Sequence, residues 1–386
     1  MSMLIAHVAD THLGYAQYGL EERENDFSRV FLEVVNKALE DHVDVLVHSG
    51  DAFHDPRPRI RTLRAFRDAV KELHARGVPL VAVPGSHDMQ RRRGVPPLAL
   101  FDDLGVRLLT VKRPIWEYKG VLFAGFQYLP RHRREVMLAL LSKLGGMAAS
   151  HVGKSVLILH QALEHVLPVA YELSLSELPK TFHYYALGHV HRPYTCSYGK
   201  GVLAYPGSTE VVDVTEISYI SEKGFLLVDL TGDEPEIERV KLESVRPQLL
   251  YEVTPKDFTE LAAKAAMDAA RCQLKPVVHV RVLGEVDRRL VDGLRKRLEG
   301  VCLKLRVEMR GAEEGGEKQA SFETVDVRSA IEACIKTYLG RPSPDLVSLA
   351  YELLRILSSS EVTTDEAVRR AVQEVKEAYG VTRSED

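Results

Sequence analysis

A chain of 386 residues is long for one hydrophobic core, so two or three domains are expected. With 45% hydrophobic and 27% charged residues it reads as soluble and globular, its apolar runs are too short to span a bilayer, and its first residues lack a basic-then-apolar leader, so a cytoplasmic protein is expected. A net charge of −4 excludes a uniformly basic nucleic-acid binder, and Cys196, Cys272, Cys302 and Cys334, with no C-x-x-C pair, argue against a disulfide framework or a zinc knuckle.

From residue 3 to about 242, short β runs alternate with amphipathic helices. Met3-Leu-Ile-Ala-His-Val-Ala9 runs into Asp10 and His12. Phe27, Val30, Phe31, Val34, Val35, Ala38 and Leu39 then place one apolar stripe on a helix. Val43-Asp-Val-Leu-Val-His-Ser-Gly50 ends at Asp51, and Leu80-Val-Ala-Val-Pro-Gly85 ends at Ser86, His87 and Asp88. Val156-Leu-Ile-Leu159 ends at His160, and Tyr184-Tyr-Ala-Leu-Gly188 ends at His189 and His191. Val121-Leu-Phe-Ala, Val202-Leu-Ala-Tyr and Phe225-Leu-Leu-Val-Asp-Leu add further strands, and the pattern predicts a two-sheet α/β sandwich flanked by helices. Strands buried side by side end along one edge, where such folds place ligand sites, so donors spread from Asp10 to His191 become neighbours.

Arginines concentrate beside these motifs: Arg57, Arg59, Arg61 and Arg64 after the second, Arg91, Arg92 and Arg93 after the third, and Arg131, Arg133 and Arg134 further on. Such local patches neutralise backbone phosphates whatever the net charge, so three of them beside one edge favour a long polyanionic substrate.

After Val245-Arg-Pro247 a second unit is expected. It comprises the strand Leu249–Val253, a helix opened by Thr254 or Asp257, the strand Pro276–Leu283, a helix from Asp287 to about Leu298 and the strand Cys302–Met309. Some sixty residues are few for independent stability, so this unit is expected to pack on the first. Residues 311–342 begin with a Gly- and Glu-rich stretch without apolar periodicity and read as a linker. The segment 343–381 reads as a helical hairpin. Leu346, Leu349, Leu353 and Leu357 line one helix and Val368, Val372 and Val375 the other. Two short helices cannot cover both stripes alone, so a partner surface is expected.

Asp-x-His, Gly-Asp, Gly-x-His-Asp, His and Gly-His-x-His in this order describe a site for two divalent metal ions. Two cations near each other need a bridging anion, for which Asp51 is the natural choice, and mixed imidazole and carboxylate donors suit Mn²⁺, Fe²⁺ or Zn²⁺. Such a pair acidifies water and absorbs charge on phosphoryl oxygens, so phosphoester hydrolysis is the expected reaction. His7, His42, His48, His74, His151, His165, His183 and His279 lack such a context and read as structural or surface residues.

These motifs resemble those of the calcineurin-like metallophosphoesterases, and within them the archaeal double-strand-break repair nucleases of the Mre11 and SbcD type. The resemblance rests on Ala9-Asp-Thr-His-Leu-Gly14, Gly50-Asp-Ala-Phe-His54 followed by Arg57-Pro58, Pro84-Gly-Ser-His-Asp88, Leu159-His-Gln161, Gly188-His-Val-His191 and Tyr205-Pro-Gly-Ser208. It implies a nuclease domain over 1–245, a small DNA-binding capping domain over 246–310, the linker, and a hairpin that grips a Rad50/SbcC-like coiled-coil ATPase. It further implies two metal ions, most simply Mn²⁺, with Asp10, His12, Asp51 and His191 on the first and Asp51, Ser86, His160 and His189 on the second. By the same resemblance His87, steadied by Asp88, protonates the leaving sugar oxygen and His54 positions the phosphate. The helix bearing Leu63, Phe66 and Val70 resembles a homodimer interface. Ser86 departs from the family asparagine, and its shorter hydroxyl is expected to weaken the second metal.

The expected activity is therefore Mn²⁺-dependent cleavage of DNA, exonucleolytic on duplex ends and endonucleolytic on single strands. One alternative is a DNA-end tether whose catalysis Ser86 weakens. Another is a general metallophosphatase.

Overall fold

Most strands here are apolar on both faces and so must be covered on both sides. The computed structural model describes residues 3–89, 95–168, 170–310, 344–357 and 369–374. In chain order the first region holds β1 (Leu4–Val8), α1 (Glu21–Glu40), β2 (Val45–His48), α2 (Ile60–Ala75), β3 (Leu80–Ala82), β4 (Val106–Leu108), β5 (Ile115–Tyr118) and β6 (Val121–Gly125). It continues with α3 (Arg134–Ser150), β7 (Ser155–His160), β8 (Tyr184–Gly188), β9 (Tyr194–Tyr198), β10 (Gly201–Tyr205), β11 (Gly224–Asp229) and β12 (Glu236–Lys241).

Two six-stranded sheets form, in the orders β12-β11-β1-β2-β3-β4 and β5-β6-β7-β8-β10-β9. Ile5, Val45, Val47, Val81, Phe123, Val156, Ile158 and Tyr184 fill the space between them. Val30, Val34, Phe66, Val70 and Leu73 of α1 and α2 cover the outside of the first sheet, and Met137, Leu141 and Leu144 of α3 that of the second. The chain thus has the two-sheet α/β sandwich flanked by helices that the sequence pattern predicts.

Of the three residues expected on a homodimer face, Phe66 and Val70 are buried in this chain's own core, with Phe66 stacked on Phe31 at 5.4 Å and against Phe53 and Phe101, while Leu63 is half-buried at its edge.

A second region follows: β13 (Gln248–Val253), α4 (Phe258–Arg271), β14 (Val277–Leu283), α5 (Arg288–Leu298) and β15 (Lys304–Arg310). Its three strands are parallel in the order β13-β14-β15. Val278, Val280 and Val282 pack under α4 and α5, while residues on the other face meet the first region: His279, bonded to Gln248 at 2.8 Å, lies edge-on to Tyr18 at 6.1 Å, and Arg306 lies over the same ring at 4.9 Å. Buried ions tie the joint. Asp26 of α1 takes Arg23, Arg29 and Arg246, and the Arg246 amide donates to Glu210 at 2.9 Å. The helix α6 (Pro344–Leu357) follows the expected hairpin start. Cys196, Cys272 and Cys302 are free thiols; Cys334 and the linker 311–342 lie outside the described residues.

Candidate metal centre

The loops leaving β1 and β2 are zipped together beyond their strands. Asp10 N–H donates to the Gly50 carbonyl at 3.0 Å, His12 N–H to Asp51 at 3.0 Å, and His54 N–H to Leu13 at 3.0 Å. Asp10, His12, Asp51 and His189 all have positive φ, at 52°, 44°, 55° and 87°. Each such non-glycine residue costs about 1–3 kcal/mol, and four of them among seven candidate ligands is strain concentrated where side chains converge. The neighbouring glycines make room for that convergence. A Cβ on Gly50 would fall 2.3 Å from His160 Nδ1, and one on Gly85 2.1 Å from Asp51 Oδ1.

Two groups result. Ligand atoms of Asp10, His12 and His191 lie within 4.8 Å of one another, as do those of Asp51, His160 and His189. His160 donates Nδ1–H to the Ser49 carbonyl at 2.8 Å, and His191 donates Nδ1–H to Glu216 at 2.7 Å, so both rings turn a bare Nε2 inward. His191 Nε2 stands 3.1 Å from His12 Nε2 and 3.8 Å from Asp10 Oδ1. His160 Nε2 is buried without a hydrogen bond, 3.2 Å from Asp51 Oδ2. A lone pair buried unpaired is costly, and lone pairs facing each other beside carboxylates fit divalent cations. Burial opposes charge on His160, yet Asp51 beside it prevails and raises its pKa to about 10, so the carboxylate draws positive charge to this nitrogen. Burial likewise raises Asp10, to about 6.

Ser86 reaches Asp51 only weakly, its hydroxyl donating to Oδ2 at 3.3 Å, while the His87 amide donates to the other oxygen at 2.8 Å. His87 is exposed at the mouth, its Nδ1 held by the His54 carbonyl at 2.9 Å. His54 stacks on Tyr15 at 3.8 Å and lies 3.4 Å from His12, Nδ1 to Nδ1. Burial and the nearby His87 lower its pKa to about 4. Asp88 does not hold the His87 ring as expected. Fully buried, it accepts the amides of Gly85, Phe53 and Ala52 at 2.8, 2.9 and 3.2 Å and so clamps the second loop to the third.

Sequence reasoning passed over two carboxylates. Glu216 fixes His191, and Glu172, which takes the Ala162 amide at 2.8 Å and Tyr128 Oη at 3.2 Å, lies 3.7 Å from His189 Nε2. The spacing Asp213-x-x-Glu216 is a capping-box signal that was available; Glu172 carries no such mark. His7 and His48 are interior as read: His7 joins Tyr184 and Ser49, each at 2.7 Å, and His48 joins Thr11 at 3.0 Å.

The arginines divide. Arg59 and Arg61 pair with buried Glu24, Arg134 pairs with Glu177, and Arg131 lies over Tyr171 at 4.6 Å. Arg57 and Arg133 are exposed, and Arg91, Arg92 and Arg93 lie outside the described residues. On α6, Leu346, Leu349 and Leu353 are half-buried, and Val372 is exposed. Val368, Val375 and the Leu357 side chain fall outside the described residues.

The family model for calcineurin-like phosphoesterases matches residues 3–193, the span that holds all seven candidate ligands. The DNA double-strand break repair protein Mre11 of Methanocaldococcus jannaschii is 38% identical over 290 residues, covering 73% of this chain and 77% of that protein. This chain belongs to the Mre11 family. Its namesakes from Saccharolobus solfataricus, 29% identical over 94% of this chain and 97% of theirs, and Thermoplasma acidophilum, 32% identical over 74% and 78%, agree. The chain is thus a metal-dependent phosphodiesterase with candidate ligands for a pair of divalent ions. Among the described residues no helix is long and apolar enough to cross a membrane.

Proposed function

We propose that this chain is a nuclease of DNA double-strand-break repair, holding two ions, best suited to Mn²⁺, at Asp10, His12, Asp51 and His191 and at Asp51, His160 and His189. The observation that carries the reading is the convergence of two inward-facing imidazole and carboxylate groups at one sheet edge. When bound, the ions supply an acidified water and neutralise charge on the phosphoryl oxygens.

The residues of the chain do the rest. Asp51 and Asp10 are held by backbone amides, from His87 and His189 respectively, so their oxygens are fixed before substrate arrives. His54, neutral at pH 7, is braced between Tyr15 and His87 to steady a phosphate oxygen. His87, anchored through Nδ1, keeps Nε2 to protonate the departing sugar oxygen.

The DNA substrate, with duplex-end exonuclease and single-strand endonuclease action, is supported by the names of the relatives and by exposed Arg57 and Arg133. Residues 246–310 would add DNA contacts as a capping domain, 343–381 would engage a Rad50/SbcC-like ATPase, and the working form would be a homodimer. Cleavage of an end-labelled duplex with Mn²⁺, and two ions per chain by metal analysis, test the reading. Binding without cleavage, salt-sensitive as phosphate contacts require, would instead support the tethering role; the Ser86 hydroxyl turned to Asp51 favours that second reading.

A further inference from the structure

Glu216 is almost wholly buried, and every oxygen on it is used. Oε1 accepts His191 Nδ1–H at 2.7 Å and the Asp213 amide at 3.2 Å. Oε2 accepts Ser208 Oγ–H at 2.9 Å, the Val212 amide at 3.2 Å and the Lys223 ammonium at 2.5 Å. A carboxylate so anchored cannot rotate. It fixes both the hydrogen of His191 on Nδ1 and the plane of the ring, which leaves Nε2 aimed at Asp10 and His12.

We propose that Glu216, braced by Lys223 and Ser208, is a positioning residue for the first metal subsite. The inference rests on the metal-centre reading above and names a determinant of affinity at one of its two subsites. Among the described residues nothing equivalent serves the second subsite, where His160 leans on a backbone carbonyl and the Glu172 oxygen stands 3.7 Å from His189. The effect is therefore asymmetric. Glu216 also caps the 3-10 turn Val214–Glu222 jointly with Asp213, so a merely structural role is the competing account. Asp213 separates the two, because it caps the same turn through the Thr215 amide and is not a partner of His191.

The experiment is Mn²⁺ titration of the full-length chain by calorimetry, with ions per chain counted independently. Glu216→Gln is expected to weaken one of two constants about 10- to 100-fold and leave the other within about twofold, the range seen when a partner behind a ligand is lost. Because Lys223 is stranded by that change, Glu216→Gln with Lys223→Met is measured beside it, and the same asymmetric loss is expected. Asp213→Ala is expected to lower the melting temperature while keeping both constants. Two unchanged constants in the folded Glu216 variants, or an equal loss in Asp213→Ala, would overturn the assignment. A wild-type chain that takes up no Mn²⁺ would overturn the metal-centre reading beneath it.

Discussion

At the scale of single residues the site divides into groups that hold cations and groups that stand outside them. His87 belongs to the second set: it is exposed, anchored by a main-chain carbonyl, donates its amide to Asp51 and stands edge-on to the His12 ring at 5.0 Å. His87→Ala keeps that amide, so metal content is expected to stay at the wild-type value. A positioned general acid is worth about 10²- to 10⁴-fold, and single-turnover cleavage should slow by that amount. Loss of an ion in metal analysis would instead place the ring among the ligands. Ser86 is the opposite case. Its hydroxyl is spent on Asp51, whereas an asparagine side chain reaches further and presents a carbonyl oxygen. Ser86→Asn is expected to raise Mn²⁺ affinity at one subsite and with it the cleavage rate at limiting Mn²⁺; identical rates across a metal titration would remove Ser86 as the weak point.

At the scale of elements, what was legible in the sequence followed how strongly burial marks it. The central strands, from Leu4–Val8 to Tyr184–Gly188, are apolar on both faces, so their ends announced the ligands that follow. Strands β4, β5, β9 and β12 went unread because they lie at sheet edges, half exposed and mixed in composition, as in Glu236-Ile-Glu-Arg-Val-Lys241. The stripe on α2 was legible but not its destination: an apolar helix face looks the same whether it meets its own sheet or a second copy, and Phe66 and Val70 meet the sheet. Glu216 and Glu172 escaped because a carboxylate behind a histidine is defined by the fold and not by its neighbours in sequence. Arginine counts misled for the same reason. Arg61 is paired with Glu24 and Glu21, whereas Arg57 is exposed and its guanidinium pairs with no carboxylate among the described residues. If DNA tracks along this edge, Arg57→Ala and Arg133→Ala should each lower the slope of log affinity against log salt by about one, uniformly across sequences. Arg61→Ala should leave that slope unchanged; an equal drop in all three would mean that the ion pairs open when DNA binds.

At the scale of the molecule, the question is what holds the small three-stranded region in register with the metal centre. Its own core of twelve buried apolar residues is modest, and the contact face is polar: Tyr18 with His279 and Arg306, and the ion cluster at Asp26. Asp26 is the centre of that cluster. Burial disfavours its charge, but hydrogen bonds from Arg246 and Arg23 prevail and hold its carboxyl below the ordinary value of 3.8. Arg246 also donates to the Lys275 carbonyl at 2.6 Å, ahead of β14, so one guanidinium ties α1 to the segments that lead into β13 and β14. Removing Asp26 takes the carboxylate from Arg246 and leaves Arg23 with Glu210 alone, and breaking a buried pair typically costs about 3–5 kcal/mol. Asp26→Ala should therefore melt well below the wild type at pH 7. Because the folded pKa is depressed, the stability this carboxylate contributes is present in full above the unfolded value and is lost as pH falls below about 3.8 through the folded value. The difference in melting temperature between wild type and Asp26→Ala should accordingly be constant from neutral pH down to about 5 and shrink below 4. A difference that stays constant into strong acid would mean that Asp26 contributes shape and not charge, and that the two regions are held together by packing alone.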